Sequence, residues 1–401
     1  MAAQATPPGT TAPTPAAAPR IAIITIGPGS AVWEKFGHNM IRVSDPATGT
    51  DLAYNFGMFD FGQKNFFWNF LQGRMLYSMG GFDATRQLEF YGSTGRSIQV
   101  QELSLTPGQA RSLAEALARN AEPDQRNYRY EYYRDNCSTR VRDALNLSLA
   151  GALERDLSVL PTPSTYRSRT ADLTAGDPAI YFGLMLLLGP STDRPLSAWE
   201  ESFIPMDFAR YLAPIANPAV NGGAAPLVAG SSMQPARADM AKPVRSPSSW
   251  LGWFLLLGVL VGGTLAWAGA RCGGGRGRGA FVVFGSLWSL LSGLAGFIMV
   301  YLWAFTDHAV AYRNENLLQA SVLGLAVFAL MAGWARRGGP APAGVRALSS
   351  AIAALSLAGV ALQLLPWFAQ VNAPALVFFV PANLGMALGA MRAAPATTGP
   401  T

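Results

Sequence analysis

The sequence predicts an α+β domain followed by an all-α membrane domain of about five transmembrane helices. Up to about residue 249, charged residues are scattered among short strand-like and helix-like patterns, as in an ordinary mixed domain. From Trp250 onward, long apolar runs take over and the charges shrink to short clusters. This change in composition indicates a water-exposed domain fused to a membrane domain.

Five apolar runs are long enough, or nearly so, to cross about 30 Å of hydrocarbon as helices. They cover residues 250–270, 280–305, 317–335, 348–365 and 375–391. Arginines follow the first run, separate the third from the fourth and follow the fifth: Arg271, Arg276 and Arg278; Arg336, Arg337 and Arg346; and Arg392. Because positive residues mark the cytoplasmic side, an odd number of spans leaves the N-terminal domain outside. The formal charge of +6 therefore reflects membrane topology, and we expect no nucleic-acid partner.

Composition divides the chain into five segments. Residues 1–20 are rich in Pro, Ala and Thr and are predicted to be disordered, and residues 21–215 form the folded domain with a helical extension. Residues 216–249 are rich in Pro, Ala, Gly and Ser and are predicted to be a linker. The membrane helices occupy 250–392, and 393–401 form a tail. Since residues 1–20 lack the apolar core of an export signal, we expect that signal to have been removed.

The first strands of the folded domain bring two polar residues together. Residues 21–26, 39–43 and 51–56 are predicted strands, and turn residues at 44–50 join the last two as a hairpin. His38 at the entrance of one strand and Asn55 on the next are therefore neighbours. Another strand is predicted at 97–103, and Thr106 with Pro107 begins a helix that runs to about residue 120. Residues 128–133 alternate aromatic and charged side chains, which is typical of a half-buried strand.

Cys137 follows that last strand and begins a helical pattern. A thiol at a helix start is ionised more readily, because unpaired backbone N–H groups and the helix dipole favour the thiolate. His38 is the candidate base, since the other histidine, His308, lies between apolar runs. Cysteine and histidine are the minimum set for nucleophilic acyl transfer. The alternative interpretation is a buried structural cysteine.

Further groups complete this predicted site. Asn55 is expected to orient the imidazole of His38, with Asp135 and Asp143 as alternatives. The oxyanion hole is expected to include the backbone N–H of Cys137, helped by one of three tyrosines, Tyr130, Tyr132 or Tyr133. Cys272 lies at the inner membrane edge and cannot form a disulfide with Cys137 across the bilayer. An unpaired thiol in an oxidising compartment suggests that Cys137 is retained for chemistry.

Two other segments carry open interpretations. An aromatic-dense stretch could guide an acyl chain from the headgroup level or form a core layer: Phe56, Phe59, Phe61, Phe66, Phe67, Trp68 and Phe70. A polar loop on the same side as Cys137 could position a lipid headgroup or be an ordinary hydrophilic loop: Asp307, His308, Arg313, Asn314, Glu315 and Asn316. His308 and Asp307 are too few for a metal site, so we expect no metal and no cofactor.

The motifs together resemble a known family. Residues 33–39 read Trp-Glu-Lys-Phe-Gly-His-Asn, residues 54–57 read Tyr-Asn-Phe-Gly, and residues 136–140 read Asn-Cys-Ser-Thr-Arg. These stretches resemble the exported domain of the Lnb-type bacterial lipoprotein N-acyltransferases, over roughly residues 21–214. The resemblance implies a circularly permuted papain-like (NlpC/P60-like) domain in the periplasm, anchored in the inner membrane.

The resemblance also implies an activity. Cys137 would be acylated by a membrane phospholipid, and the acyl chain would pass to the α-amino group of a diacylglyceryl-cysteine lipoprotein. Residues of the motifs and of the polar loop are then expected to contact substrate: Asn136, Tyr130, Tyr132, Trp33, Asn39, His308, Arg313 and Asn316. Cysteine and histidine chemistry alone equally permits a membrane-tethered hydrolase acting as phospholipase, peptidase or amidase. A non-catalytic receptor or assembly factor with an inert thiol is the third possibility.

Overall fold

A central antiparallel sheet organises the N-terminal half of the chain. The computed structural model describes residues 18–60, 62–223, 225–240, 246–272, 275–337 and 339–393. Within these residues the sheet has seven strands in the order β11-β5-β1-β2-β3-β4-β6, and β7–β8 and β9–β10 form two small pairs. The strands are β1 Arg20–Ile26, β2 His38–Asp45, β3 Thr50–Met58, β4 Leu76–Asp83, β5 Ile98–Leu103, β6 Asn127–Arg129, β7 Pro161–Thr165, β8 Pro195–Ser197, β9 Ala216–Asn217, β10 Ala225–Pro226 and β11 Val228–Gln234.

Helices cover both faces of this sheet and also form the membrane domain. The N-terminal half contains α1 Phe66–Gln72, α2 Ala84–Ser93, α3 Pro107–Asn120, α4 Cys137–Ser148, α5 Ala152–Ser158, α6 Tyr166–Thr174, α7 Pro178–Leu187, α8 Ala198–Glu201 and α9 Pro205–Leu212. The C-terminal half contains α10 Leu251–Ala270, α11 Gly275–Phe305, α12 Leu323–Arg337, α13 Ala343–Leu362 and α14 Ala373–Arg392. A mixed α/β domain followed by an all-helical region is thus confirmed.

Strand β1 is buried on both faces because its isoleucines alternate between two cores. Ile21 and Ile23 join the core under α3 and α4, whereas Ile24 and Ile26 join the core under α2. Successive side chains of a strand point to opposite faces, so a run of apolar residues suits a strand covered on both sides. The sheet therefore lies between two helical layers and contributes to a hydrophobic core on each face.

The three predicted strands at 21–26, 39–43 and 51–56 are confirmed, with slightly wider bounds. The helix at Thr106 is confirmed as well, because the Thr106 side chain caps the amide of Gln109 and Pro107 begins the helix. The strand predicted at 128–133 is wrong in its second half. Only β6 pairs there, and the chain then turns back on itself between Glu131 and Asp135.

The linker prediction for residues 216–249 is wrong in its first part. Residues 216–217 and 225–226 form β9 and β10, and β11 pairs antiparallel with β5 along the edge of the main sheet. An exposed edge strand needs no apolar face, so its Gly and Ser content looks like that of a linker. Predictions for residues 1–17, Phe61, 241–245 and 394–401 lie outside the described residues.

Five helices of the described chain are long and apolar enough to cross a membrane, as predicted. They are Pro247–Ala270, Gly277–Phe305, Glu315–Arg337, Ala343–Leu362 and Ala373–Arg392. The first and last pack backbone to backbone. A Cβ on Gly262 would lie 2.2 Å from the carbonyl oxygen of Pro381, and one on Gly269 would lie 2.3 Å from Cα of Gly389. Small residues allow this close approach of membrane helices.

The loop between α11 and α12 joins the two halves of the protein. The Asp307 amide donates to the Gln72 carbonyl at 2.9 Å, and the Gln72 side chain donates to the Tyr301 hydroxyl at 2.6 Å. A second contact between the two halves lies just after α7, where the Gly189 amide donates to the Val310 carbonyl at 2.7 Å. The N-terminal domain therefore sits on the membrane side opposite the arginines that follow α10 and α12.

Candidate active site

Cys137 is the first residue of α4, and Asn136 fixes that helix start. The Asn136 side-chain oxygen accepts from the amides of Ser138 and Thr139, both at 2.9 Å. Its nitrogen donates to the carbonyls of Tyr132 at 2.9 Å and Phe203 at 3.0 Å. This cap does not use the Cys137 amide, which has no acceptor within its own helix because it lies in the first turn. No hydrogen bond within the described residues uses that N–H.

His38 and Asn55 lie on neighbouring strands, as the hairpin predicted. Asn55 is opposite Met40 in the register of β2 and β3, so it shares a face with His38 two residues away. His38 Nε2 lies 2.6 Å from Asn55 Oδ1. Because an amide oxygen can only accept, Nε2 carries the proton, which leaves Nδ1 to face Cys137.

The thiol lies against this pair. The imidazole of His38 and the backbone amides of Asn39 and Ser138 lie close enough to the sulfur of Cys137 to favour its thiolate by charge and hydrogen bonding. Strand β3 passes close to Cys137 at Gly57. A Cβ at this position would lie 3.3 Å from Cβ of Cys137, and the φ of +81° also favours glycine. One cluster thus contains His38, Asn55 and Cys137, which are far apart in the sequence.

Burial and charge act in opposite directions on the two ionisable groups. Burial alone would raise the pKa of Cys137, but the charge and hydrogen bond of His38 and the two backbone amides outweigh it, and the pKa is lowered. Burial alone would lower the pKa of His38, but the charge and hydrogen bond of Cys137 and the bond to Asn55 outweigh it, and the pKa is raised. Both shifts favour a thiolate–imidazolium pair.

Helix α2, which the sequence patterns did not reveal, supports the imidazole. The Asn55 amide nitrogen donates to Gln87 Oε1 at 3.4 Å, and the Tyr91 hydroxyl is also bonded to Asn55. The ring of Tyr91 stacks on that of His38 with centroids 6.0 Å apart. The guanidinium of buried Arg96 lies over the ring of Tyr91, 5.5 Å from its centroid. These groups hold Asn55 and His38 in place.

The alternative carboxylates are used elsewhere. Asp135 forms an ion pair with Arg140, and Asp143 forms one with Arg142. Neither bonds to His38 among the described residues. Of the three candidates for orienting the imidazole, Asn55 is the one that bonds to His38 in the described structure.

Two tyrosines line the other side of the thiol. A Cβ on Gly57 would lie 3.8 Å from the Tyr130 ring and 3.9 Å from the Tyr128 hydroxyl. The Tyr128 hydroxyl is buried and has no acceptor within the described part of the chain. Burial, first of all, and the charge of Cys137 raise the pKa of Tyr128, so its proton stays in place. A buried, unused O–H beside a nucleophile is suited to an oxyanion.

Tyr128 was not among the tyrosines predicted for the oxyanion hole. Tyr133 is the wrong choice of those three, because its hydroxyl bonds to Thr170 Oγ1 at 2.9 Å inside a hydrophobic core. Tyr130 stacks on Tyr77 with centroids 4.1 Å apart, and Tyr132 meets Tyr130 edge-on. The sequence does show an aromatic residue at position 128, but the direction of its hydroxyl depends on how β6 pairs with β4.

Three of the predicted substrate-binding side chains have structural roles instead. Asn39 is buried between Thr25 and Ser138, and Asn136 is the cap of α4. Asn316 is buried, and its nitrogen donates to the Leu186 carbonyl at 2.9 Å. In all three residues the amide nitrogen donates to a buried protein group, which leaves it little capacity for a ligand.

The other predicted contact residues are more accessible. Trp33 is 67% exposed and meets Phe59 edge-on. The His308 ring stacks on Tyr132 with centroids 6.0 Å apart, and its Nε2 lies 3.0 Å from the Phe70 carbonyl. The loop thus reaches the tyrosines beside Cys137. Arg313 is exposed, and no hydrogen bond or ion pair within the described segments joins it to this cluster.

Fold and site define a multi-pass membrane protein whose external α/β domain carries a cysteine, histidine and asparagine cluster beside the bilayer. The chain belongs to the Lnb family: the Lnb N-terminal periplasmic domain matches residues 9–171, and the Lnb transmembrane domain matches residues 250–340. No curated protein and no solved structure matches it. The protein is accordingly a multi-pass inner-membrane protein with its N-terminal domain in the periplasm.

Proposed function

We propose that this protein is a lipoprotein N-acyltransferase. It moves an acyl chain from a membrane phospholipid through a Cys137 thioester to the α-amino group of a diacylglyceryl-cysteine lipoprotein. The observation that carries the proposal is the cluster of Cys137, His38 and Asn55, held at the junction with the membrane helices. Membership of the Lnb family points the same way.

In the first step the thiolate of Cys137 attacks the carbonyl carbon of a phospholipid ester. The C–S bond forms, the bond from the carbonyl carbon to the glycerol oxygen breaks, and the His38 imidazolium gives its proton to that oxygen. A lysophospholipid alcohol leaves. Asn55 keeps the imidazole in the orientation that this transfer requires.

The negative charge on the carbonyl oxygen needs donors during this step. We assign this role to the Cys137 amide at the start of α4 and to the Tyr128 hydroxyl, which has no hydrogen-bond partner within the described residues. Such donors act strongly because the surroundings are buried and already oriented.

In the second step the lipoprotein amine attacks the thioester. The C–N bond forms, the C–S bond breaks, and His38 takes the proton that the amine loses, which restores the thiolate–imidazolium pair. The periplasm supplies neither ATP nor acyl-CoA, so the chain must come from a preformed ester, and a thioester conserves its reactivity. Limited access of water beside the bilayer favours the amine over hydrolysis.

The test is expression in cells that lack their own lipoprotein N-acyltransferase, followed by mass spectrometry of a lipoprotein N-terminus. We expect one added acyl chain with the intact protein and none with Cys137→Ala. Cys272→Ala is the matched control, since it removes the other of the two cysteines and should keep the activity. Free fatty acid with no acylated amine would reject the transferase in favour of a hydrolase, and the absence of any Cys137-dependent product would reject an enzyme.

A further inference from the structure

Helix α1 presents unusually large apolar side chains to its surroundings. The exposed fractions are 77% for Phe67, 58% for Trp68, 47% for Phe70 and 43% for Leu71. Water-exposed domains seldom leave so many aromatic side chains together on one short element. The aromatic stretch predicted from the sequence thus divides: Phe56 is in the core, whereas α1 faces outward.

The same helix is bonded to the outer end of α11 and to the loop that follows it. The Phe70 carbonyl meets His308 Nε2 at 3.0 Å, and Gln72 at the end of α1 bonds to Tyr301 of α11. Trp303 and Phe305, on the last turn of α11, are 46% and 65% exposed. The apolar surface of α1 is therefore continuous with the lipid-facing surface of α11.

A cationic pair borders this apolar surface. Arg74 and Arg129 both bind the carboxylate of Asp307, and their side chains remain 58% and 57% exposed. Two guanidinium groups share one carboxylate, so the cluster keeps one net positive charge and several N–H donors. Arginine at the membrane boundary is suited to a phosphate group.

An aromatic row connects α1 with the thiol. Phe66 stacks on Phe59 with centroids 6.2 Å apart, Phe59 lies 5.5 Å from Tyr77, and Tyr77 stacks on Tyr130 at 4.1 Å. Tyr130 borders Gly57 directly beside Cys137. The row gives an acyl chain an apolar surface from the helix to the sulfur.

We propose that α1 is inserted in the outer leaflet of the inner membrane and, with Arg74 and Arg129, forms the entry site for one glycerophospholipid. The arginines bind its phosphate, and the acyl chain lies on α1 and along the row that ends at Tyr130. Aromatic side chains favour this interfacial depth. The inference deepens the proposed function, because it names where the acyl donor enters, but neither of its tests depends on acyl transfer.

The first experiment measures the depth of α1 in nanodiscs. A fluorophore is attached to a cysteine introduced by Phe67→Cys in the full chain carrying Cys137→Ala and Cys272→Ala, and the lipids are brominated in their acyl chains. We expect quenching similar to that of a label at Leu294, an exposed position within α11, and none for a label at Thr48. Thr48 is exposed in the β2–β3 turn, at the end of the sheet away from His38. A label at residue 67 that behaves like the one at Thr48 overturns the insertion of α1.

The second experiment measures retention of dioleoylphosphatidylglycerol by detergent-solubilised protein with Cys137→Ala, using native mass spectrometry. Replacing Arg74 and Arg129 by Gln should lower the affinity about five-fold, the scale of exposed charge pairs. Arg119→Gln is the matched control, because Arg119 is 60% exposed and pairs with Glu115. Equal affinity of the double variant and its parent, or an equal loss with Arg119→Gln, overturns the phosphate site. Failure of acyl transfer in cells leaves both readouts intact.

Discussion

Removing the imidazole tests how Cys137 becomes reactive. In a Cys272→Ala background, His38→Ala deletes the charge and the hydrogen bond that lower the pKa of Cys137. Burial, which raises the pKa of Cys137, would then be opposed only by the backbone amides of Asn39 and Ser138. We therefore expect the thiol of the variant to ionise at higher pH and to react more slowly at neutral pH.

The size of the effect follows from the thiolate fraction. A thiol with an ordinary pKa of about 8.5 is only about 3% ionised at pH 7, so a fully ionised thiol gains about 30-fold in reactive form, and burial of the variant thiol enlarges this ratio. Lower nucleophilicity of the more acidic thiolate returns part of this gain. Alkylation should thus slow by roughly 30-fold, whereas acyl transfer should fall by about 10²- to 10⁴-fold, because proton transfer to the leaving oxygen is also lost.

The assay is the rate of iodoacetamide alkylation of the full-length protein as a function of pH, read by intact-mass spectrometry. Cys137→Ala in the same background provides the blank. The ionisation reasoning is refuted if the parent and His38→Ala give the same rate at neutral pH and the same midpoint. Loss of acyl transfer with unchanged alkylation would instead assign His38 to proton transfer alone.

Three further predictions concern the same cluster. The lowered pKa of Cys137 and the raised pKa of His38 should give a bell-shaped pH profile of lipid acylation: activity rises as pH passes the Cys137 pKa and is lost as pH passes that of His38, and a profile that keeps rising with pH would contradict the ion pair. Tyr128→Phe should slow formation of the Cys137 acyl-enzyme by about 10²-fold with unchanged alkylation, since it removes one oxyanion donor, and equal acylation rates of variant and parent would exclude that role. Asn136→Ala should destabilise the protein by about 2 kcal/mol, because the cap bonds two amides and two carbonyls, and thermal unfolding in detergent beside the exposed Asn127→Ala control measures it.

Local sequence patterns were sufficient to predict the positions of His38, Asn55 and Cys137. The β2–β3 hairpin is determined by turn residues and by alternation within each strand, so the pairing of His38 with Asn55 could be predicted. The position of Cys137 at a helix start likewise follows from its immediate neighbours. Both are short-range features, and short-range features are what a single sequence displays.

The features that could not be predicted from the sequence depend on contacts between residues far apart in the chain. The position of the Tyr128 hydroxyl depends on β6 joining β4, and β4 itself is a Gly-containing strand without clear alternation. Asn39 and Asn316 look like substrate contacts in the sequence because a polar residue in a motif has the same appearance whether it faces a ligand or a buried group of the protein. Only the packed neighbours distinguish the two cases.

The glycine contact between α10 and α14 has a consequence for biogenesis. The helix that tethers the periplasmic domain leaves the ribosome more than a hundred residues before its packing partner, and α14 lies beyond the stretch matched as the Lnb transmembrane domain. Until Ala373–Arg392 is synthesised, the grooves at Gly262 and Gly269 face lipid. A chain terminated before α14 would thus export the periplasmic domain on an unpaired anchor, and α14, the fifth of the described spans, is the helix that completes the contact.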